Sequence, residues 1–405
     1  MMLDFKYEEE YRKRYKDTPL EDIIIFRSGP MASTYIEGMD FDDNSRALFE
    51  YALEVGINEK FKLVWIVKDP SKWSGKFEKY KNVLFLSWED ADSDDIEKRD
   101  NFFYHLCLAK FLFMTDSYGF ALGCREDQVR VMLWHGCGFK ARLGNSPNED
   151  NYEYMVVTGD EYAKQYAINF GLRRDQMLVT GFPKVDYIFH PDSEWREKLK
   201  VKEADKYIFW LPTFRNTNRP GFERHNHTVP KGETGLPMVS SIDQLKSINE
   251  LLVDNNSVMI IKLHPMQDRK MICDFSVFSN IQLIENKDLL KWDIQINQIL
   301  GYADALISDY SSVAVDYLVM DRPIAFTLDD FDSYEAERGF DWPDVKPHLP
   351  GKELYNYDEM YDYVKSVLAG IDPGLEKRRS ISEEMQKYSD DQSSRRVLEA
   401  FGITS

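Results

Sequence analysis

Four short polar motifs in this chain follow apolar runs and carry side chains that bind phosphate or take up protons. They read Trp134-His-Gly, Pro212-Thr-Phe-Arg, Lys262-Leu-His-Pro and Ser308-Asp-Tyr-Ser-Ser. Arginine binds phosphate bidentately, and histidine is the side chain best suited to accept a proton near neutral pH. Together the motifs predict a cleft that holds a diphosphate on one side and a base on the other.

The first motif places His135 at the end of an apolar run, followed by a glycine-rich turn and Lys140. Gly136 and Gly138 permit the backbone to approach a bulky substrate closely. A histidine hydrogen-bonded inside the sheet edge is the structural alternative, and the flanking glycines and lysine make it less attractive. Cys137 is a weak candidate nucleophile because no catalytic partner for it is apparent.

The second and third motifs supply cations and a hydroxyl. Thr213 and Arg215 follow one apolar run, and a guanidinium matches the geometry of a phosphate group. Lys262 and His264 stand two residues apart at the end of another run, so in a strand both side chains point to one face. We expect these groups to face a phosphate-bearing ligand.

The fourth motif leads from a strand into a short helical pattern. Asp309, Ser311 and Ser312 are residue types that cap helix N-termini, and the N-terminal end of a helix attracts phosphate. For this stretch taken alone, an ordinary capped helix in an α/β domain is the alternative.

These motifs belong to a regular alternation of apolar runs and helical segments, which predicts parallel sheets covered on both faces. The predicted strands are residues 22–26, 61–67, 83–87, 111–115, 129–135, 154–158, 177–180, 207–211, 258–263, 281–284, 305–308 and 323–327. Ligands in such folds bind beyond the carboxyl ends of the strands. A polar stretch near 190–203 breaks the pattern, so the chain is predicted to form two doubly wound α/β domains facing a cleft.

The predicted domains are an acceptor-side domain over 1–195 that carries the base, a donor-binding domain over 196–375, and a helical segment over 376–405 that packs back on the first domain. A long connection over 215–237, rich in Arg, His and Gly, has the composition of an anion-attracting lid or of a floppy insertion.

Composition excludes several classes of protein. The 405 residues include 51 basic and 70 acidic side chains, a net charge of −19, which argues against general nucleic-acid binding. The four cysteines show no CxxC spacing, so neither a zinc site nor a disulfide framework is indicated. We expect a cytoplasmic protein without a signal peptide or membrane span, at most peripheral on the inner face of the bacterial plasma membrane.

In their order, the four motifs and the downstream Arg338-Gly resemble the CDP-glycerol glycerophosphotransferases, over about residues 20–370. These enzymes build teichoic acids and related phosphate-linked capsules in bacteria. The resemblance implies a GT-B fold and transfer of an alditol phosphate from a CDP-activated donor, with release of CMP. It also implies CDP-glycerol or CDP-ribitol as donor and a lipid-linked or polymeric acceptor. We expect that no cofactor is required, although Mg²⁺ is compatible with the reaction.

The resemblance also implies roles for individual residues. His135 would be the general base that acts on the acceptor hydroxyl. The donor and phosphate-binding residues would be Thr213, Arg215, Lys262, His264, Ser311 and Ser312. The supporting or acceptor-side residues would be Gly136, Lys140, Asp309, Asp316 and Arg338.

One motif departs from the family pattern. This chain has His135-Gly-Cys-Gly-Phe-Lys where the teichoic acid enzymes typically have His-Gly-Thr-Pro-Leu-Lys, which leaves the acceptor open. Two alternatives remain at this point: a GT-B glycosyltransferase that uses a nucleotide sugar, and a catalytically silent binding protein of a polysaccharide assembly. The pair Asp329-Asp330 is compatible with Mg²⁺, but adjacent carboxylates on an acidic chain are more often surface groups.

Overall fold

The structure is a computed structural model that describes residues 5–29, 38–115, 125–141, 152–215, 232–264 and 266–405. Most of the predicted connection over 215–237 lies outside these ranges. The chain divides into two units, the first comprising Met1–His135, Asn145–Asp186 and Asp390–Ser405. The second comprises Gly136–Gly144 and Tyr187–Ser389.

Seven parallel strands form the sheet of the first unit within the described ranges. They are β1 (Glu21–Arg27), β2 (Lys62–Val67), β3 (Val83–Ser87), β4 (Ala109–Met114), β5 (Val129–Met132), β6 (Tyr154–Val157) and β7 (Met177–Val179). Their order across the sheet is β3-β2-β1-β4-β5-β6-β7. Residues 23–27 of β1 are all buried, as expected of a central strand with both faces covered.

Six parallel strands form the sheet of the second unit within the described ranges. They are β8 (Lys206–Trp210), β9 (Ser257–Lys262), β10 (Ile281–Ile284), β11 (Ala305–Ser308), β12 (Ile324–Thr327) and β13 (Lys352–Leu354). The order is β10-β9-β8-β11-β12-β13, so β9, β8, β11 and β12 are consecutive neighbours. The α/β class with two Rossmann-like parallel sheets is confirmed.

Helices connect and cover the strands in both units. They are α1 (Glu8–Tyr15), α2 (Asp43–Glu54), α3 (Ser71–Phe77), α4 (Ile96–Leu108), α5 (Asp160–Asn169), α6 (Asp186–Phe189), α7 (Trp195–Leu199), α8 (Ile242–Asp254), α9 (Asn286–Lys291), α10 (Asn297–Leu300), α11 (Val313–Asp316), α12 (Phe331–Glu337), α13 (Tyr357–Leu368), α14 (Leu375–Met385) and α15 (Ser393–Glu399). No helix among the described residues is both long and apolar enough to cross a membrane.

Aromatic packing fixes α2 on the first sheet. Trp65 of β2 stacks on Phe26 of β1 with ring centroids 5.8 Å apart, and Phe49 of α2 meets both rings edge-on at 5.4 Å. All three side chains are fully buried. Near the start of α2, the Ser45 hydroxyl donates to the Arg27 carbonyl at 2.6 Å, which holds the N-terminal end of α2 at the carboxyl end of β1.

The predicted set of strands needs two corrections. Strand β5 ends at Met132 rather than at His135, because Trp134 has a φ of +58°, which no strand accommodates. The short edge strand β13 was not predicted. The highly charged segment over 7–18 forms α1, whose Tyr11 is buried and stacks on Phe103 of α4 at 4.5 Å.

The observed division of the chain falls at positions other than the predicted 195 and 375. The first unit ends its main run at Asp186, and residues 136–144 belong to the second unit. The C-terminal segment is shared, because α14 lies in the second unit and α15 in the first. There the backbone N–H groups of Ser393 and Ser394 donate to the Asp186 carboxylate at 2.9 and 2.8 Å.

Candidate functional site

Three of the predicted motifs meet at one edge of the second sheet. Strands β9, β8 and β11 are parallel neighbours, so the residues that follow their carboxyl ends share one edge. The motifs that begin at Lys262, Pro212 and Ser308 follow those three strand ends. The fold therefore brings together residues that are far apart in the chain, such as Thr213 and Asp309, which are 96 positions apart.

Asp309 ties the exits of β8 and β11 together. Its side chain is fully buried, and it accepts hydrogen bonds from the backbone N–H of Thr213 at 2.8 Å and from the Thr213 hydroxyl at 2.5 Å. It also accepts from Nη1 of Arg215 at 2.9 Å. Asp309 therefore links the two strand exits, and its supporting role in donor binding stays a prediction.

Arg215 points into the protein. Its side chain is 2% exposed, and its Nε donates to Asp330 at 2.5 Å in addition to the contact with Asp309. Burial alone would lower the pKa of Arg215, but the two carboxylates raise it above its usual value. We therefore reassign Arg215 and Thr213, which were predicted as direct phosphate ligands, to the framework beneath the site, because both already bind buried carboxylates.

Ser311 and Ser312 form the turn that precedes α11. Both are half-buried, and among the described residues neither hydroxyl has a hydrogen-bond partner. Ser312 occupies the predicted N-cap position, but its side chain makes no capping hydrogen bond. The hydroxyls are thus available to a ligand, whereas Asp316, at the end of this helix, is 2% exposed and lies within the core of the unit.

The segment that follows His135 in the chain packs on this turn. A Cβ atom added to Gly138 would lie 3.4 Å from the backbone nitrogen of Ser312. Residues 139–141 pair with residues 339–341 through Ala141 N–H to the Gly339 carbonyl at 3.1 Å and Asp341 N–H to the Phe139 carbonyl at 3.0 Å. The segment is therefore an integral part of the second unit.

Two predicted supporting cations and one glycine belong to the same region. Arg338 donates to the Ala141 carbonyl, and Gly136 is buried with a φ of +151°. Lys140 is half-buried, and its pKa is lowered to about 8, chiefly by burial. The cations of Arg215 and Arg338 lower it too, against the opposing effect of Asp309.

Lys262 and His264 lie at the exit of β9. Lys262 is half-buried, and its Nζ donates to the Leu263 carbonyl at 3.3 Å. His264 is exposed, its ring lies 4.8 Å from that of Phe214, and its Nδ1 accepts from the Met266 N–H at 3.1 Å. Because Nδ1 is an acceptor, the neutral imidazole carries its proton on Nε2, where it can donate to an anion.

His135 ends the first stretch of the first unit, three residues beyond β5. Its side chain is exposed, and its ring centroid lies 4.1 Å from that of Trp134. The left-handed backbone of Trp134 costs about 1–2 kcal/mol in a residue with a side chain. The neighbouring Cys137 is fully buried, which makes it a poor nucleophile.

Two side chains that sequence reasoning did not connect with His135 hold this strained backbone. Nδ2 of Asn44, near the start of α2, donates to the Trp134 carbonyl at 2.8 Å, and Nζ of Lys184 donates to the His135 carbonyl at 2.6 Å. The backbone N–H of Lys184 donates to Oδ1 of Asn44 at 3.0 Å, which links the two. From the sequence, Asn44 is interpreted as an ordinary helix-capping residue. No sequence pattern around Lys184 indicates a functional role.

The carboxylates considered for Mg²⁺ already have partners. Asp330 binds Arg215, and Asp329 accepts the Met238 N–H at 2.8 Å. Across the part of the chain that the structure describes, no three His, Cys, Asp or Glu side chains are grouped as a metal site.

Comparisons with known proteins agree with the fold. A family model for CDP-glycerol:poly(glycerophosphate) glycerophosphotransferases matches residues 24–401. The wall teichoic acid polymerase TagF superposes with a TM-score of 0.69 at 18% identity, covering 98% of this chain and 94% of that one. The fold is therefore of the GT-B type.

Curated relatives include a teichoic acid poly(ribitol-phosphate) polymerase of Bacillus spizizenii, 26% identical over 84% of this chain and 52% of that protein. A teichoic acid glycerol-phosphate transferase of Staphylococcus aureus is 23% identical over 94% of this chain and 93% of that protein. This chain spans 52% to 64% of the length of the ribitol-phosphate polymerases and primase that it matches. On the family match over nearly its whole length, the chain belongs to the CDP-glycerol:poly(glycerophosphate) glycerophosphotransferase family.

Proposed function

We propose that this chain transfers glycerol phosphate, or a related alditol phosphate, from a CDP-activated donor to a hydroxyl of a teichoic-acid-like or capsular polymer. Family membership supports this reaction, and relatives named for glycerol-phosphate and ribitol-phosphate transfer support the substrate class. TagF crystals have been soaked with CDPG, which supports a CDP-linked donor. The observation that carries the proposal is the Ser311-Ser312 turn, whose two available hydroxyls lie at the ligand-binding edge of the sheet.

In the proposed donor complex, the diphosphate lies against this turn. The hydroxyls of Ser311 and Ser312 and the Nε2–H of His264 donate to phosphate oxygens, and Lys140 and Lys262 neutralise charge. Hydrogen bonds to an ionised group are worth about 1.5–3 kcal/mol each, so a few such contacts suffice for specific binding. Asp309 and Arg215 act beneath the turn and hold the strand exits in register.

The chemical step is an in-line displacement at the β-phosphorus. The acceptor oxygen forms the new P–O bond, the bond from phosphorus to the bridging oxygen breaks, and CMP leaves with that electron pair. The imidazole of His135 takes the acceptor proton. A loose phosphoryl-type transition state needs positioning and charge neutralisation more than covalent catalysis.

The acceptor is proposed to be lipid-linked or polymeric, and the protein to meet it at the inner face of the bacterial plasma membrane. No cofactor is proposed to be needed, because lysine, histidine and hydroxyl groups supply the donors that neutralise the phosphates.

A donor screen tests this proposal. The protein is incubated with CDP-glycerol, CDP-ribitol or nucleotide sugars, each with and without a teichoic acid acceptor, and nucleotide release is measured. We expect acceptor-dependent CMP release from a CDP-alditol that persists in EDTA. Turnover of a nucleotide sugar but of no CDP-alditol would instead identify a glycosyltransferase. Absence of turnover with every donor would indicate a binding protein.

A further inference from the structure

The backbone that presents His135 is held by side chains from two other parts of the first unit. Trp134 has a φ of +58°, a conformation that bulky residues rarely adopt. Such outliers persist only where the surroundings enforce them, and they cluster at functional sites. The carbonyls of Trp134 and His135 are each bound by a side chain, from Asn44 and Lys184.

Asn44 uses both ends of its amide. It is fully buried, its Nδ2 donates to the Trp134 carbonyl at 2.8 Å, and its Oδ1 accepts the Lys184 N–H at 3.0 Å. The amide thus fixes the distance between the chain at Trp134 and the chain at Lys184. Aspartate at this position has nearly the same shape but lacks the donor that binds Trp134.

Lys184 holds the next carbonyl. The side chain is 8% exposed, and its Nζ donates to the His135 carbonyl at 2.6 Å and pairs with Asp43 at 3.4 Å. A buried ammonium requires acceptors, so this contact is costly to break. The hydrogen bond from Lys184 constrains the peptide group that joins His135 to Gly136.

The imidazole itself is exposed, and the ring contact described for it is with the adjacent Trp134. The imidazole is attached to this backbone, so a shift of the backbone at Trp134 and His135 would move the ring as well. We infer that Asn44 and Lys184 are positioning residues that aim the His135 imidazole for proton transfer. This inference rests on the proposed role of His135 as the base. A misplacement of about 1 Å at a reacting group can cost on the order of a hundredfold in rate.

The test uses Lys184→Met and Asn44→Asp in the full chain, with CMP release and donor affinity measured separately. We expect kcat to fall on the order of ten- to a hundredfold, while the affinity for CDP-glycerol measured by calorimetry and the cooperative thermal unfolding are retained. The matched control is Lys206→Met, which removes a half-buried ammonium that is likewise bound to carbonyls, those of Val367 and Leu368 at 2.8 and 3.0 Å. It should leave kcat unchanged.

Wild-type kcat in both variants, with His135→Ala inactive, would overturn the positioning role and leave the proposed base intact. Loss of the folded state in both variants, with Lys206→Met folded, would overturn it in favour of a purely structural role. Full activity of His135→Ala would overturn the proposed base, and the positioning role with it.

Discussion

Replacing Asp309 by asparagine should destabilise the second unit far more than the loss of an ion pair on the surface would. The carboxylate is fully buried and accepts three hydrogen bonds, from the N–H and O–H of Thr213 and from Arg215. Asparagine keeps one acceptor oxygen and turns an N–H₂ group toward the remaining donors. Arg215 would keep Asp330 but lose part of its charge compensation.

The magnitude follows from the burial. Removing one partner of a buried ion pair costs about 3–5 kcal/mol, because the other charge is left uncompensated. In a domain of about 200 residues each kcal/mol shifts Tm by about 2–4 °C. We therefore expect the transition of the second unit to fall by roughly 6–20 °C.

The assay is differential scanning calorimetry of the wild type, Asp309→Asn and Asp175→Asn. Asp175 pairs with Arg173 on the surface, with side chains 71% and 72% exposed, and such pairs contribute about 1 kcal/mol or less. A Tm for Asp309→Asn no lower than that of the Asp175→Asn control would refute the assignment of Asp309 as the buried link between the strand exits.

The remaining predictions concern donor binding. Ser312→Ala should weaken CDP-glycerol binding on the order of tenfold or more, because a hydrogen bond to an ionised group is lost; unchanged affinity by calorimetry would count against the phosphate site. Lys140 has a pKa of about 8, so it carries its charge below that pH and loses it above, and kcat/KM for the donor should decline as pH rises through this region. Arginine stays charged throughout this range, so Lys140→Arg should abolish the decline of kcat/KM with pH. The same pH dependence in Lys140→Arg and the wild type would exclude Lys140 from donor binding. Gly138→Val should raise the donor KM, because its Cβ would already lie 3.4 Å from the Ser312 nitrogen and its methyl groups extend further. Gly75→Val, where nothing lies within 4 Å of an added Cβ, is the control, and equal KM values would contradict the contact.

Most strands of the fold could be predicted from the local sequence. Near-continuous apolar runs predicted the strands because a parallel sheet is covered on both faces. The predicted bounds agree with the structure for β3, β10 and β11. Strand β13 escaped detection because it is a three-residue edge strand that begins at Lys352 and pairs with β12 alone.

The candidate site was only partly predictable, because its geometry depends on contacts between distant residues. The Pro212-Thr-Phe-Arg motif suggested a phosphate ligand, but Arg215 turns inward because it meets Asp330, 115 positions later. The backbone at Trp134 and His135, just after β5, is bound by Asn44 and Lys184, which lie on other elements. No sequence pattern near His135 predicts these contacts with Asn44 and Lys184.

The measurement that tests the central claim most directly is acceptor-dependent CMP release from CDP-glycerol or CDP-ribitol by His135→Ala. His190→Ala, which removes another exposed histidine to which no role is assigned, is the control. General-base catalysis contributes about 10²–10⁴-fold, so we expect kcat to fall by that factor in His135→Ala while donor affinity stays at the wild-type value. Transfer by His135→Ala at a rate matching that of His190→Ala would contradict the account.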